Sequence, residues 1–173
     1  MLRKSYIFRL SYWVFSLLAA AFLLAGCNMW GSPEKWVGQS EQQVLSGWGQ
    51  PTARVLLPEG GVRLQYSGQP WGRYAWMIDL DQAGQVTQVY QALQNKYFMQ
   101  IPIDGSWGRE DVLREFGPPA LVDHVASWKG DIWNYRWWDI KYMFYYIYFD
   151  ENGRVRRAEA GIDFSMDRDT WRR

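Results

Sequence analysis

The sequence predicts an α+β fold of two tandem modules, each a short helix packed on a four-stranded antiparallel meander. Three observations predict it. A helix-and-stop pattern occurs twice, as Val44-Leu45-x-x-Trp48-Gly49-x-Pro51 and Val112-Leu113-x-x-Phe116-Gly117-x-Pro119. An Asp-x-x-Gly turn occurs twice, as Asp81 to Gly84 and Asp150 to Gly153. Between helix and turn, each half carries runs of β-formers, with Tyr66 and Tyr135 at matching positions. The first pattern repeats at an offset of 68 and the others at 69, so a single residue is inserted between them. Two copies are too few for a solenoid and read as a duplicated module.

Each element has a local cause. Ser40 followed by Gln43 is a capping box, so a helix begins there. Val44, Leu45 and Trp48 line one face of it. Gly49 supplies a positive φ after the last turn, and Pro51 forbids continuation. In the second half Gly108 is a weaker cap, with Glu110 and Asp111 suited to the positive end of the helix dipole. Val112, Leu113 and Phe116 repeat the face, and Gly117, Pro118 and Pro119 repeat the stop. Trp48 and Phe116 are expected to be buried equivalents.

Strands follow each helix. Arg54 to Leu57 and Val62 to Tyr66 flank the turn Pro58-Glu59-Gly60-Gly61, and the second of these alternates strictly. Tyr74 to Leu80 and Val86 to Ala92 flank the first Asp-x-x-Gly turn. The second half offers Ala120 to Ser127, Ile132 to Trp138, Lys141 to Phe149 and Arg154 to Gly161. A helix followed by an antiparallel meander means a helix on one face of a sheet. The organisation expected is a signal at 1–26, a tether at 27–37, a first module at 38–93, a linker at 94–105, a second module at 106–162 and a charged tail at 163–173.

The N-terminus carries an address. Arg3, Lys4 and Arg9 precede an uncharged run from Tyr12 to Leu24, and Ala25-Gly26-Cys27 closes it. The run suits the apolar core of a secretion signal and is short for a membrane span. Cys27 is the sole cysteine. The pattern is that of a bacterial lipoprotein signal, with acylation at Cys27 and cleavage before it. Asn28, rather than an Asp, follows the cysteine, which favours the outer membrane, on its periplasmic face. Several acyl chains on one residue anchor stably, because each buried methylene contributes about 0.8 kcal/mol.

Composition excludes other classes. Residues 1–26 hold three basic groups and no acidic ones, so their removal takes the formal charge from +1 to −2. A near-neutral chain without a basic stripe is a poor nucleic-acid ligand. With Cys27 acylated, no disulfide is available, and burial alone must stabilise the 147 residues from Cys27 onward. Eleven of the twelve tryptophans lie from Cys27 onward and supply much of that apolar area.

Lipobox, helix with Gly-x-Pro stop and Tyr-bearing meander with an Asp-x-x-Gly turn together resemble the SmpA/OmlA (BamE-like) lipoproteins. The matching positions include Trp48, Gly49, Pro51, Tyr66, Asp81 and Gly84, and their counterparts Phe116, Gly117, Pro119, Tyr135, Asp150 and Gly153. Tandem copies of the unit also resemble the architecture of secreted β-lactamase inhibitor proteins. The resemblance implies a non-enzymatic outer-membrane lipoprotein that supports envelope integrity or outer-membrane protein assembly through protein contacts. The alternative is a periplasmic inhibitor or ligand-binding lipoprotein that grips a soluble hydrolase or peptidoglycan.

No catalytic constellation is legible. His124 is the only histidine, and as a strand residue it would face away from its neighbour Asp123. One histidine and an acylated cysteine supply no metal site, and no cofactor is expected. The segment beyond ordinary fold-building is the aromatic run from Trp128 to Phe149. A strand has two faces, and a helix covers only one. The second face is covered either by packing within and between the modules or by a partner. On the second reading Trp133, Tyr135, Trp137, Tyr146 and Tyr148 are the candidate binding face for a protein partner in the envelope, and at least two of them are exposed; if all are buried, the run is the core between the modules.

Overall fold

The computed structural model describes residues 33–165. Residues 36–165 belong to one compact unit. Cys27, the signal segment and residues 166–173 lie outside the described residues. Among those described, no helix is long and apolar enough to cross a membrane.

The fold is α+β, with two antiparallel four-stranded sheets and few, short helices. The first sheet runs β1 (Ala53–Leu56), β2 (Val62–Ser67), β3 (Ala75–Leu80) and β4 (Val86–Gln91), in that spatial order. The second runs β5 (Leu121–Asp123), β6 (Ile132–Trp138), β7 (Tyr142–Phe149) and β8 (Val155–Ile162), again in chain order. Helix α1 (Glu41–Trp48) precedes the first sheet. Helices α2 (Asn95–Phe98) and α3 (Arg109–Phe116) stand between the sheets in sequence.

The caps are those the sequence implies. Ser40 and Gln43 form the reciprocal capping box of α1. At α3 the Asp111 carboxylate accepts the Gly108 N–H at 2.8 Å. This bond and that from Arg114 outweigh the cost of burial and hold the Asp111 carboxyl below its ordinary range. Gly49 and Gly117 close the two helices at φ of 80° and 74°, a region that a Cβ makes costly.

Several local features recur at the repeat spacing. The Tyr66 hydroxyl donates to the Gly49 carbonyl at 2.9 Å, and the Tyr135 hydroxyl to the Gly117 carbonyl at 2.8 Å. Asp81 Oδ1 accepts the N–H groups of Ala83 and Gln85, and Asp150 Oδ1 those of Asn152 and Arg154. Register shifts fall at Asp79/Leu80 and at Tyr148/Phe149. Isolated bridges join Ser40 to Gln85 and Gly108 to Arg154.

Two cores hold the unit together. In the first, Val44 of α1 packs with Leu64, Ile78, Leu80 and Val86 of one face of the first sheet. Trp48 lies at the edge of this core, half-buried, against Tyr66 and Trp76. It is not the fully buried counterpart of Phe116 that the repeat implies. Helix α1 ends at the rim of its sheet, whereas Phe116 is enclosed on both sides.

The second core is larger and joins the halves. Ala75 and Met77, from the opposite face of the first sheet, pack with Val112 and Phe116 of α3 and with Tyr135, Tyr145 and Ile147 of the second sheet. Phe98 of α2 sits at its centre, parallel to Tyr145 at 4.1 Å and against Phe116 at 5.1 Å. The stretch expected to be a linker thus supplies a core residue. Its single apolar turn, Tyr97-Phe98, enters the space left beside the two-turn α3.

Helix α3 is also held from the first sheet. Gln65 Nε2 donates to the Leu113 and Arg114 carbonyls, each at 2.9 Å, satisfying the last turn of α3. Arg63 donates to the Arg114 carbonyl and pairs with Asp79 at 2.6 Å and Glu115 at 2.7 Å. Burial works against the Arg63 charge, but these carboxylates and the Tyr90 ring keep it firmly protonated.

Candidate functional surfaces

The aromatic run divides between the two faces of the second sheet. Register places Trp133 opposite Ile147, Tyr135 opposite Tyr145 and Trp137 opposite Met143. All face α2 and α3, and Trp133, Tyr135 and Trp137 are buried in the second core. The expectation that these three form a binding face is corrected. With period-two alternation they point the same way, and Phe98 and Phe116 already fill that side. Burial drives the Tyr135 phenol well above its ordinary pKa. Tyr146 and Tyr148 point to the opposite face and are half-buried rather than exposed. None of the five is fully open to solvent.

Tyr146 and Tyr148 line a small cleft of about 260 Å³ with Asp123, Val125, Trp128 and Arg157. Trp128 lies outside any strand, yet it is fixed: its Nε1 donates to the Phe149 carbonyl at 2.7 Å. Its ring meets Tyr148 edge-on at 5.2 Å. The Tyr148 hydroxyl donates to Glu159 at 2.8 Å, and Arg157 forks onto the same carboxylate. Arg157 holds the Glu159 carboxyl below its ordinary range. Burial raises the Tyr146 and Tyr148 phenols, and Glu159 adds to both. The cleft thus presents neutral phenols and a closed ion pair. It offers stacking and hydrogen bonding, with no group poised for proton transfer.

Beside the cleft runs an open sheet edge. The strand expected at Ala120 to Ser127 is only Leu121–Asp123, paired with β6 alone. Leu121, Val122 and Val125 are all exposed. His124 therefore lies beyond the strand, in the loop. Its Nδ1 is 3.5 Å from Asp131 Oδ1, while Arg109 holds the other Asp131 oxygen at 2.8 Å. Among the described residues no hydroxyl bonds to His124, so the pair lacks a nucleophile. No three His, Cys, Asp or Glu side chains among the described residues group as metal ligands.

A second surface lies at the β2–β3 and β6–β7 hairpins. Beyond the Leu121 end of β5, the Gln69 side chain takes over the edge of β6. Its Nε2 donates to the Arg136 carbonyl at 2.7 Å, and its Oε1 accepts the Arg136 N–H at 3.2 Å. Arg136 in turn donates to the Pro70 carbonyl and faces buried Asp163 at 3.2 Å, close enough for charge pairing without the alignment of a hydrogen bond. The 68–74 loop is thereby fastened to the second sheet. It carries Trp71, 81% exposed; Ile140 in the β6–β7 turn is 88% exposed and Phe164 after β8 67%. Arg73 stacks on Tyr142, its guanidinium carbon 4.1 Å from the ring centre. Trp138 packs edge-on to Tyr142 at 4.9 Å.

Larger depressions of about 590 and 610 Å³ lie at the opposite end, beside Gly60-Gly61 and Asp81 to Gly84. Turn residues and a few polar side chains border them, and no reactive group is gathered there. Sequence reasoning missed Arg157, Arg73, Ile140 and Phe164 as surface builders. Only the Trp71 loop carried a signal, a large aromatic between glycines.

No protein-family model matches the chain, and no curated protein matches it. Among solved structures it is similar to a DUF4309-family protein (YjgB) of Bacillus subtilis, at 10% identity and a TM-score of 0.30, over 73% of this chain and 81% of that one. It is similar to a cysteine-rich secretory protein (SAV1118) of Staphylococcus aureus, at 10% identity and a TM-score of 0.29, over 76% of this chain and 46% of that one. An extracellular protein containing a SCP domain, from Bacillus anthracis, shares 13% identity at a TM-score of 0.32, over 80% of this chain and 48% of that one. The chain spans about half the length of these last two. Likenesses of this size carry no inference about what it does.

Proposed function

We propose that this chain is a non-enzymatic lipoprotein of the outer membrane that supports envelope integrity or outer-membrane protein assembly through protein contacts. Its body is a tandem pair of modules, each a helix on a four-stranded meander, as in the SmpA/OmlA (BamE-like) lipoproteins it resembles. Support for the duplication comes from the paired tyrosine-to-glycine bonds, the paired aspartate turns and the paired register shifts. Support for the anchor is the lone cysteine at the end of the apolar run.

One observation carries the binding role. The β5 edge exposes Leu121, Val122 and Val125 beside an aromatic cleft that ends in Tyr146 and Tyr148. An unpaired edge of this kind accepts a partner strand, and the cleft takes an adjacent side chain. The edge is three residues long, which limits self-association while leaving room for a specific partner.

Affinity purification of the tethered chain from membranes tests this reading. Components of the β-barrel assembly machinery are expected with the parental chain. Val122→Lys and Arg157→Glu, both at exposed positions, are expected to reduce recovery about tenfold, the equivalent of ~1.4 kcal/mol, at an unchanged melting temperature. Recovery of a soluble hydrolase or muropeptides instead would replace the proposal with the ligand-binding alternative. Recovery unaffected by either variant would move the contact away from this edge.

A further inference from the structure

We infer that the hairpin pole formed by Trp71, Ile140 and Phe164 is a second membrane contact, which lays these side chains into an anionic lipid surface. The inference rests on the membrane-bound reading above only for the lipid concentration around the domain. The contact itself is argued from the pole.

Its three most exposed apolar residues come from three separate segments that lie toward the same end of the second sheet, the end at which Trp138 pairs with Tyr142 and Met143 with Ile162. They are held there by a single device. Gln69 ties the Trp71 loop to β6, Arg136 ties it to Asp163, and the Asp163 N–H reaches the Tyr142 carbonyl beside the β6–β7 turn. The apolar tips are therefore rigidly mounted, not loose ends. They protrude from turns at strongly exposed positions. Protruding Trp, Ile and Phe suit a fluid interface, which needs no complementary pocket.

The charges around the tips fit the same occupant. Arg73 stacks on Tyr142 and has no hydrogen bond or ion pair among the described residues. Lys141 is exposed, one residue from Ile140. Against them stands Asp139 alone, since Asp163 is matched by Arg136. This pole is cationic in a chain whose charge from Cys27 onward is −2. Basic groups flanking interfacial aromatics are attracted to anionic headgroups, at about 1 kcal/mol per cation near the surface.

The test uses the full-length chain carrying Cys27→Ser, with a single fluorophore attached at Ile140→Cys or, as control, at exposed Ser46→Cys on α1. Each chain is reconstituted in vesicles of phosphatidylethanolamine with phosphatidylglycerol, and in vesicles of phosphatidylcholine alone. Lipids brominated in their acyl chains are expected to quench the probe at 140 at least ~2-fold more than the probe at 46, only with phosphatidylglycerol present. Arg73→Glu with Lys141→Glu is expected to abolish the difference, with the near-ultraviolet circular dichroism unchanged. Equal quenching at both sites, or none at 140, would overturn the inference while leaving an anchored, protein-binding lipoprotein intact. Protection of the probe by a lipid-free envelope protein extract, without quenching in vesicles, would mark the pole as a protein surface and equally overturn it. Trp71→Ser with the probe at 140 provides a second variant should the double charge reversal impair folding.

Discussion

The Tyr135 hydroxyl donates to the Gly117 carbonyl at 2.8 Å, and by doing so ties the middle of β6 to the end of α3. The carbonyl is one that the helix leaves unpaired as it stops, and the phenol is buried beside it. Tyr135→Phe strips the donor and leaves a buried acceptor unmade, so a loss of ~1–3 kcal/mol in denaturant unfolding is expected. The equivalent bond from Tyr66 to Gly49 is partly open to water. Tyr66→Phe is expected to cost less than ~1 kcal/mol, because water replaces the donor.

Arg63 and Asp79 form a buried pair at 2.6 Å, with Glu115 as the third member. Arg63→Met strands the Asp79 carboxylate and is expected to destabilise by ~3–5 kcal/mol. Arg63→Met with Asp79→Leu, which removes both charges and keeps the volume, is expected to cost clearly less than the single change. The four proteins of that double-mutant cycle, unfolded in urea, measure the difference.

Phe98 stacks between Tyr145 and Phe116 at the centre of the second core. Phe98→Ala is expected to cost ~3–5 kcal/mol, the scale of a large cavity. A loss below ~1 kcal/mol would show that the 94–105 stretch is a connection only.

Alkaline stability follows from the phenols. Burial, with Glu41 adding to it, raises Tyr66 from 10.0 to about 12, and burial raises Tyr135 and Tyr145 as well. Each folded pKa lies above the unfolded one, so the fold favours the protonated phenol. The resulting stability is present in full below pH 10 and drains away as pH climbs towards 12. Tyrosinate absorbance of the native protein is expected to lag that of the denatured chain over this window. Superimposable curves would place these phenols in water.

Cys27 is expected to be the acylation site. Cys27→Ser should leave an uncleaved precursor without lipid label. Cleavage and outer-membrane fractionation of the Cys27→Ser protein would overturn the lipoprotein reading.

The legible features share one property, which is that neighbours in sequence decide them. Ser40 with Gln43, Gly49 with Pro51, and Asp81 with Gly84 each act within a few residues. Strand alternation in β6 and β7 is equally local, and so the division of the aromatic run into two faces could be foreseen. The face that stays buried could not. Whether Trp133, Tyr135 and Trp137 meet solvent depends on Phe98 and Phe116, which lie up to 39 residues earlier in the chain.

The candidate surfaces show the same limit. β5 begins only at Leu121, opposite Asn134, and beyond that point the Gln69 side chain, from another strand pair, takes the edge of β6 at Arg136. The Trp71, Ile140 and Phe164 tips belong to three turns that no periodicity connects. By itself, the sequence determined the α+β class, the ends of α1 and α3 and the turns, since torsional preference and capping are properties of adjacent residues. Only the tertiary structure decided which aromatic face is core, which strand edge is open and which apolar tips share a pole. Those outcomes turn on contacts between the two sheets, and such contacts exist only once burial has paid the entropy of bringing distant segments together.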